Sequence, residues 1–194
     1  MTATPTLETS RLLLRPLRLE DHLWAQKLFP HFEIVKYLNP SVPWPYPENG
    51  VYDFYKNVAL PAVAASKKLY WILIEKSSKT PMGALELSPQ ATDDNRGFWL
   101  GLPFHGKGYM SEAVAVTTDF AFDVLGMKKM MFGNAKPNTA SGRLKVSAGA
   151  TLVREVESDF VSGKFTKQVW ELTPENWRAS PLRKKYAERE RFPS

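Results

Sequence analysis

Residues 97–114, GFWLGLPFHGKGYMSEAV, set a strand-forming run, a glycine-punctuated loop and the start of a helix in immediate succession. Past the glycines, Met110, Ala113, Val114, Thr117, Phe120, Ala121 and Val124 recur at three- and four-residue intervals, and Gly126 follows as a stop. This predicts a helix of about four to five turns. The next apolar run, KKMMFGNA, has the length of a short strand. A strand–loop–helix–strand unit of this kind returns its second strand parallel to the first, which narrows the fold to one that mixes helices and sheet. Its loop joins the carboxyl end of a strand to the amino end of a helix, where free N–H groups and the helix dipole favour an anion.

Gly101, four residues, Gly106, Lys107 and Gly108 imitate the loop of nucleotide hydrolases. That loop needs a hydroxyl where Gly108 stands, to ligate Mg²⁺, and a later strand ending in Asp, which KKMMFGNA does not supply. Nucleotide hydrolysis is therefore excluded while phosphate binding remains physically sensible.

Around this unit the chain predicts an α+β domain with a mixed, mostly antiparallel sheet of six to seven strands flanked by helices. RLLLRPLRL (11–19) opens as a strand broken by Pro16, and EDHLWAQKLF follows at helical spacing. Pro40, Pro43, Pro45 and Pro47 hold the next stretch in an irregular loop that exposes aromatic residues. A helical region near 48–66 leads to the hairpin KLYWILIEK/PMGALELS, and NTASGRLKVSAG is a helix closed by Gly149. TLVREVES and FTKQVWEL form a last hairpin about VSGK. The expected organisation is a single domain over 7–175 followed by a basic tail, 176–194.

With 43% hydrophobic and 24% charged residues the composition is that of a soluble globular domain. No apolar run approaches the ~20 residues of a membrane span, and MTATPTLETSRLLLRP lacks a secretory leader, so a cytoplasmic protein is expected. The absence of cysteine excludes disulfides, thiolate zinc sites and a cysteine nucleophile. His22, His31 and His105 fit no metal-ligand spacing, and no metal is expected. Six of the basic residues and only two acidic ones lie in 178–194, so most of the formal net charge of +6 sits in that segment. It is either a solvated terminus or a contact for RNA or the ribosome.

Three stretches together resemble the GNAT superfamily of acetyl-CoA-dependent N-acyltransferases: LETSRLLLRPLRLEDH (7–22), GFWLGLPFHGKGYMSEA (97–113) and NTASGRLKVSAGA (138–150). Within it, they are most similar to the branch of ribosomal-protein N-terminal alanine and serine acetyltransferases. The resemblance runs from Leu7 to Leu172 and implies acetyl-CoA as cofactor, an amine acceptor, and a monomer or homodimer. The family loop, [QR]-x-x-G-x-[GA], falls on His105, Gly106, Lys107, Gly108, Tyr109 and Met110. His105 departs from the usual Gln or Arg, and Met110 from a small residue. The resemblance further implies that the backbone around Trp99, Leu100 and Leu102 pairs with the pantetheine arm, and that Asn138 contacts that arm, a role compatible with a helix N-cap.

Acetyl transfer to an amine needs a base, a polarised thioester carbonyl and a proton for the leaving thiolate. Glu86 on GALELS is the candidate base, or else lies on a solvated strand face. Many family members use a Tyr seven residues after the motif Asn as proton donor, but that position is Lys145. Ser141, which stands where the branch also has Ser, is the candidate donor, and N–H groups near Leu100 are candidates for polarising the carbonyl. Trp44, Tyr46 and Asn134 are candidates for an acceptor groove. Arg15 matches the opening motif and reads as structural. The leading expectation is acetylation of a peptide or protein α-amine; the alternatives are a small amine such as an antibiotic, polyamine or amino acid, or a non-catalytic acyl-CoA- or RNA-binding domain.

Overall fold

In the computed structural model, which describes residues 3–186, the hydrophobic run LYWILIE divides its side chains between two cores. Leu69, Trp71 and Leu73 join one apolar cluster, while Tyr70 and Ile72 join another on the opposite face. This strand is therefore covered on both sides, and its sequence runs apolar without alternation for that reason. It belongs to a five-stranded antiparallel sheet in chain order: β1 (Leu7–Glu8), β2 (Leu12–Pro16), β3 (Leu69–Glu75), β4 (Thr80–Leu87) and β5 (Arg96–Leu100). A second antiparallel sheet contains β6 (Met130–Ala135), β7 (Thr151–Phe160) and β8 (Gly163–Leu172), with β8 in the middle.

One face of the first sheet carries α1 (His22–Leu28), α2 (Phe32–Val35), α3 (Gly50–Phe54) and α4 (Leu60–Ala64), the last two joined through a π-helical turn. The other face carries α5 (Tyr109–Asp119), which continues into a π-helical segment, Phe120–Val124. Ala113, Val114, Ala115 and Val116 are all buried, so α5 is a core helix enclosed on every side. Then follow α6 (Thr139–Ser147), α7 (Pro174–Ala179) and α8 (Pro181–Tyr186).

The α+β class and the strand–loop–helix–strand unit stand, with two corrections. Among the described residues the strands number eight in two sheets, against six to seven in one, and β5 and β6 form no parallel ladder. They are stitched at their beginnings by Asn95 N–H to the Met131 carbonyl at 2.8 Å and Met131 N–H to the Asn95 side chain at 2.6 Å, and the Asp94 carboxylate accepts from the Arg96 and Gly133 N–H groups. The Asn95 side-chain oxygen takes the place of the next backbone acceptor, and pairing stops there. The second correction concerns the boundary at 176. Trp177, Leu182 and Tyr186 are buried in the main core, so at least α7 and α8 are part of the domain. The remainder of the basic tail lies outside the described residues.

Candidate active site

The loop after β5 is built by glycine. Gly106 and Gly108 have φ of +74° and +78°, a region that L side chains rarely adopt, and a Cβ at Gly106 would meet nothing within 4 Å. Gly108 is the N-cap of α5 and has no side chain to offer the first-turn N–H groups, which leaves them for an anion to satisfy. The loop is clasped from beneath by Glu112, 1% exposed, which accepts from Thr9 Oγ1, from Arg11 N–H at 3.0 Å and from Arg11 Nε at 2.7 Å. Burial opposes its charge, but these bonds hold its carboxyl below the ordinary value. Arg11 also donates to the Lys107 carbonyl at 3.0 Å and lies 4.6 Å over the Tyr109 ring. The opening motif thus supports the loop.

Both departures from the family loop have a structural account. Met110 is partly buried and packs against the main core. His105 folds back so that Nε2 donates to the Leu100 carbonyl at 2.7 Å. Lys107 and Leu102 are exposed at the loop, while Tyr109 is buried and bonds Glu75.

Glu86 faces a largely apolar cavity of about 500 Å³ lined by Phe29, Tyr46, Tyr55, Tyr70 and Trp99. It pairs across the sheet with Gly97, whose missing side chain makes room: a Cβ there would lie 3.1 Å from Glu86 Oε1. Lys68 Nζ approaches Glu86 Oε1 at 2.6 Å, a diagonal cross-strand pair. Glu86 is thus partly buried in a cavity wall, not on a solvated face. Tyr46 stands edge-on to Phe29 at 5.1 Å, and burial pushes its phenol up to about 12, so it is neutral. Trp99 stacks on Trp24 at 5.8 Å. Trp44 is not brought here: it is 44% exposed and packs on Phe32, because the proline-rich loop turns it outward.

A second, polar cleft of about 210 Å³ opens between the unpaired edges of β5 and β6. Asn138, Ser141 and Lys145 line it from α6, and Asp94, Arg96 and Lys167 from the strands and their connections. Asn138 caps α6 by accepting from Ser141 N–H at 3.2 Å. Lys145 Nζ donates to Ser141 Oγ at 2.7 Å. Asn134 also lies on this wall rather than in the acceptor cavity, and its amide is spent on structure, accepting from Trp170 Nε1 at 2.9 Å and donating to Gln168 and the Ala135 carbonyl. Arg96 lies over the Phe132 ring at 4.2 Å and donates to Thr118 at 3.1 Å.

The two spaces share Leu38, Asn39, Gly97 and Phe98 in their walls, and the β7–β8 turn holds Lys36 and Leu38 by their carbonyls at 3.0 and 3.1 Å. A group lying along β5 at Gly97 and Phe98 therefore has Glu86 in one wall and Ser141 in the other. The glycine loop follows β5 at its carboxyl end, and the polar cleft lies beside the strand's open edge. Sequence reasoning missed Lys68, Arg96 and the Lys145–Ser141 bond; the four-residue spacing of Ser141 and Lys145 was the available signal. Arg15, by contrast, is structural, held to the buried Asp21 at 2.8 and 2.5 Å. Among the described residues no group of three His, Cys, Asp or Glu is placed to hold a metal, and no helix is long and apolar enough to cross a membrane.

Residues 11–151 match the family model described as acetyltransferase (GNAT) domain. Mycobacterium smegmatis RimJ, solved in complex with CoA-disulfide, superposes with a TM-score of 0.80 at 13% identity, covering 95% of both chains. The ribosomal-protein-S5-alanine acetyltransferase of Vibrio fischeri gives 0.73 at 15% identity over 89% of this chain and 98% of its own. Spermidine N-acetyltransferase of Vibrio cholerae, in complex with CoA and spermine, gives 0.72 at 16% identity over 88% and 99%. No curated protein sequence matches the chain.

Proposed function

The chain belongs to the GNAT acetyltransferase family and is an acetyl-CoA-dependent N-acetyltransferase, and we propose that its acceptor is the α-amine of a peptide or protein N-terminus. The solved structures it resembles act, by their names, on both ribosomal protein and spermidine, so the cavity has to decide. Its walls are mainly aromatic and aliphatic, and Glu86, one of its two carboxylates with Asp53, is already paired with Lys68. A polyamine needs several free carboxylates to replace the hydration of its ammonium groups, whereas a peptide end presents one amine beside a neutral backbone and a side chain that apolar walls accept.

In this reading the N–H groups from Gly106 to the first turn of α5 hold the pyrophosphate, the open edge of β5 pairs with the pantetheine arm, and Asn138 borders it. Acetyl-CoA supplies the activated acetyl group. Glu86 receives the proton of the attacking amine, directly or through one water, N–H groups near Leu100 polarise the carbonyl, and Ser141 meets the leaving sulfur. Tyr46 forms part of the acceptor wall.

The test is a set of steady-state assays with acetyl-CoA and peptides beginning with Ala, Ser or Met, against spermidine and aromatic amines. Peptides are expected to give the highest kcat/KM, and Glu86→Gln to lower kcat by about 100-fold or more with acetyl-CoA binding retained. Faster turnover of spermidine would transfer the assignment to small amines. Binding of acetyl-CoA without turnover of any acceptor would leave a binding domain, and RNA affinity that falls steeply with salt would point to the basic tail.

A further inference from the structure

We propose that Lys145 supplies, through Ser141, the proton that the departing thiolate takes up. This rests on the reading above that the sulfur lies in the cleft between β5 and β6, and it adds a second residue to the acid side of the reaction. Lys145 is buried, 3% exposed, yet among the described residues no carboxylate lies within ion-pair distance of its Nζ. Its one hydrogen bond goes to Ser141 Oγ at 2.7 Å. A buried ammonium held by a single hydroxyl is costly, and stability alone gives no reason to place it there. The groups facing it are Asp94, Arg96 and Lys167, with Asp159 also in the cleft wall, so the surroundings carry as many positive as negative charges besides its own. Burial and the two cations bring its ammonium down to about 7, against Asp94, which makes it a competent acid near neutrality.

The step balances as follows. After the amine has attacked and Glu86 or water has taken its proton, the C–S bond breaks and its electron pair stays on sulfur. Sulfur takes the Ser141 hydroxyl proton as Ser141 takes one from Lys145 Nζ, leaving CoA thiol, a restored serine and a neutral lysine that is reprotonated from solvent. Lys145 acts through Ser141 and is a positioning and proton-supplying residue.

The experiment compares wild type, Lys145→Met and Ser141→Ala in two ways. The first is the pH profile of kcat: wild type should show a descending alkaline limb, and Lys145→Met should lose that limb and about 100-fold in kcat, with acetyl-CoA binding intact. The double variant should be no worse than either single one, because the two residues work as one unit. The second needs no acceptor. The thiol of bound CoA, followed by its ultraviolet thiolate absorbance, should gain part of that absorbance at about pH 7 to 8 in wild type, as a step shared with the lysine that Lys145→Met lacks. Identical pH profiles and identical thiol titrations would overturn the proposal, as would loss of acetyl-CoA binding in Lys145→Met, which would make the lysine a ligand-holding group. A shifted thiol titration with no acetylation of any peptide would instead sink the acceptor assignment and leave the proton supply standing.

Discussion

Burial draws the Lys145 ammonium from its ordinary 10.5 down to about 7, so between these values the unfolded chain binds a proton that the native protein does not. Stability must then rise with pH across this window; it is lost as the pH falls from 10.5 toward 7 and levels off below 7, where the lysine is charged in both states. Lys145→Met, which keeps the length and removes the charge, should flatten that dependence, so the difference in urea midpoint between variant and wild type is largest at pH 7 and shrinks toward pH 9. A variant equally displaced at both values would contradict this. The sequence showed that Lys145 replaces the usual tyrosine, but not its partner or its burial, which depend on β8 and β5 arriving from elsewhere. Asn138 and Ser141 were legible because a cap and its helix are neighbours in the chain. Trp44 was misplaced because nothing local says which way an aromatic side chain leaves a proline-rich loop.

The proposed function makes the glycine loop the element on which acyl-CoA binding turns. Gly108 sits at φ +78° with Arg11 Nη2 3.6 Å and the Tyr186 hydroxyl 3.8 Å from where a Cβ would be. Gly108→Trp forces a strained backbone and drives a large side chain against Arg11 and Tyr186, distorting the loop from its supported side. The thermal shift given by acetyl-CoA should vanish in this variant, and a retained shift would mean that the phosphates bind elsewhere. At this scale the hairpins and both long helices could be read from periodicity, since each is a local pattern. The division into two sheets could not, because between β5 and β6 side chains of Asn95 and Asp94 take backbone N–H groups that a ladder would use.

Across the whole molecule, the first sheet separates two cores, and the main one is closed by α7 and α8. Trp177, 1% exposed, donates from Nε1 to Asp119 at 2.7 Å, and Arg183 reaches the same carboxylate at 2.9 Å. Trp177→Ala should therefore cost about 3–5 kcal/mol, a large part of the stability of a domain this size, measured as the loss in unfolding free energy in urea. A cost below about 1 kcal/mol would return this segment to the status of a tail. Charge composition drew the boundary too early, because the three apolar residues that dock the helices are scattered among arginines and lysines. The unladdered edges of β5 and β6 have a final consequence, for handling rather than catalysis. Open strand edges recruit strands from other molecules, so if an acyl-CoA arm covers these two, the protein stored without it is expected to aggregate sooner, and the ligand would act as a preservative for the enzyme it serves.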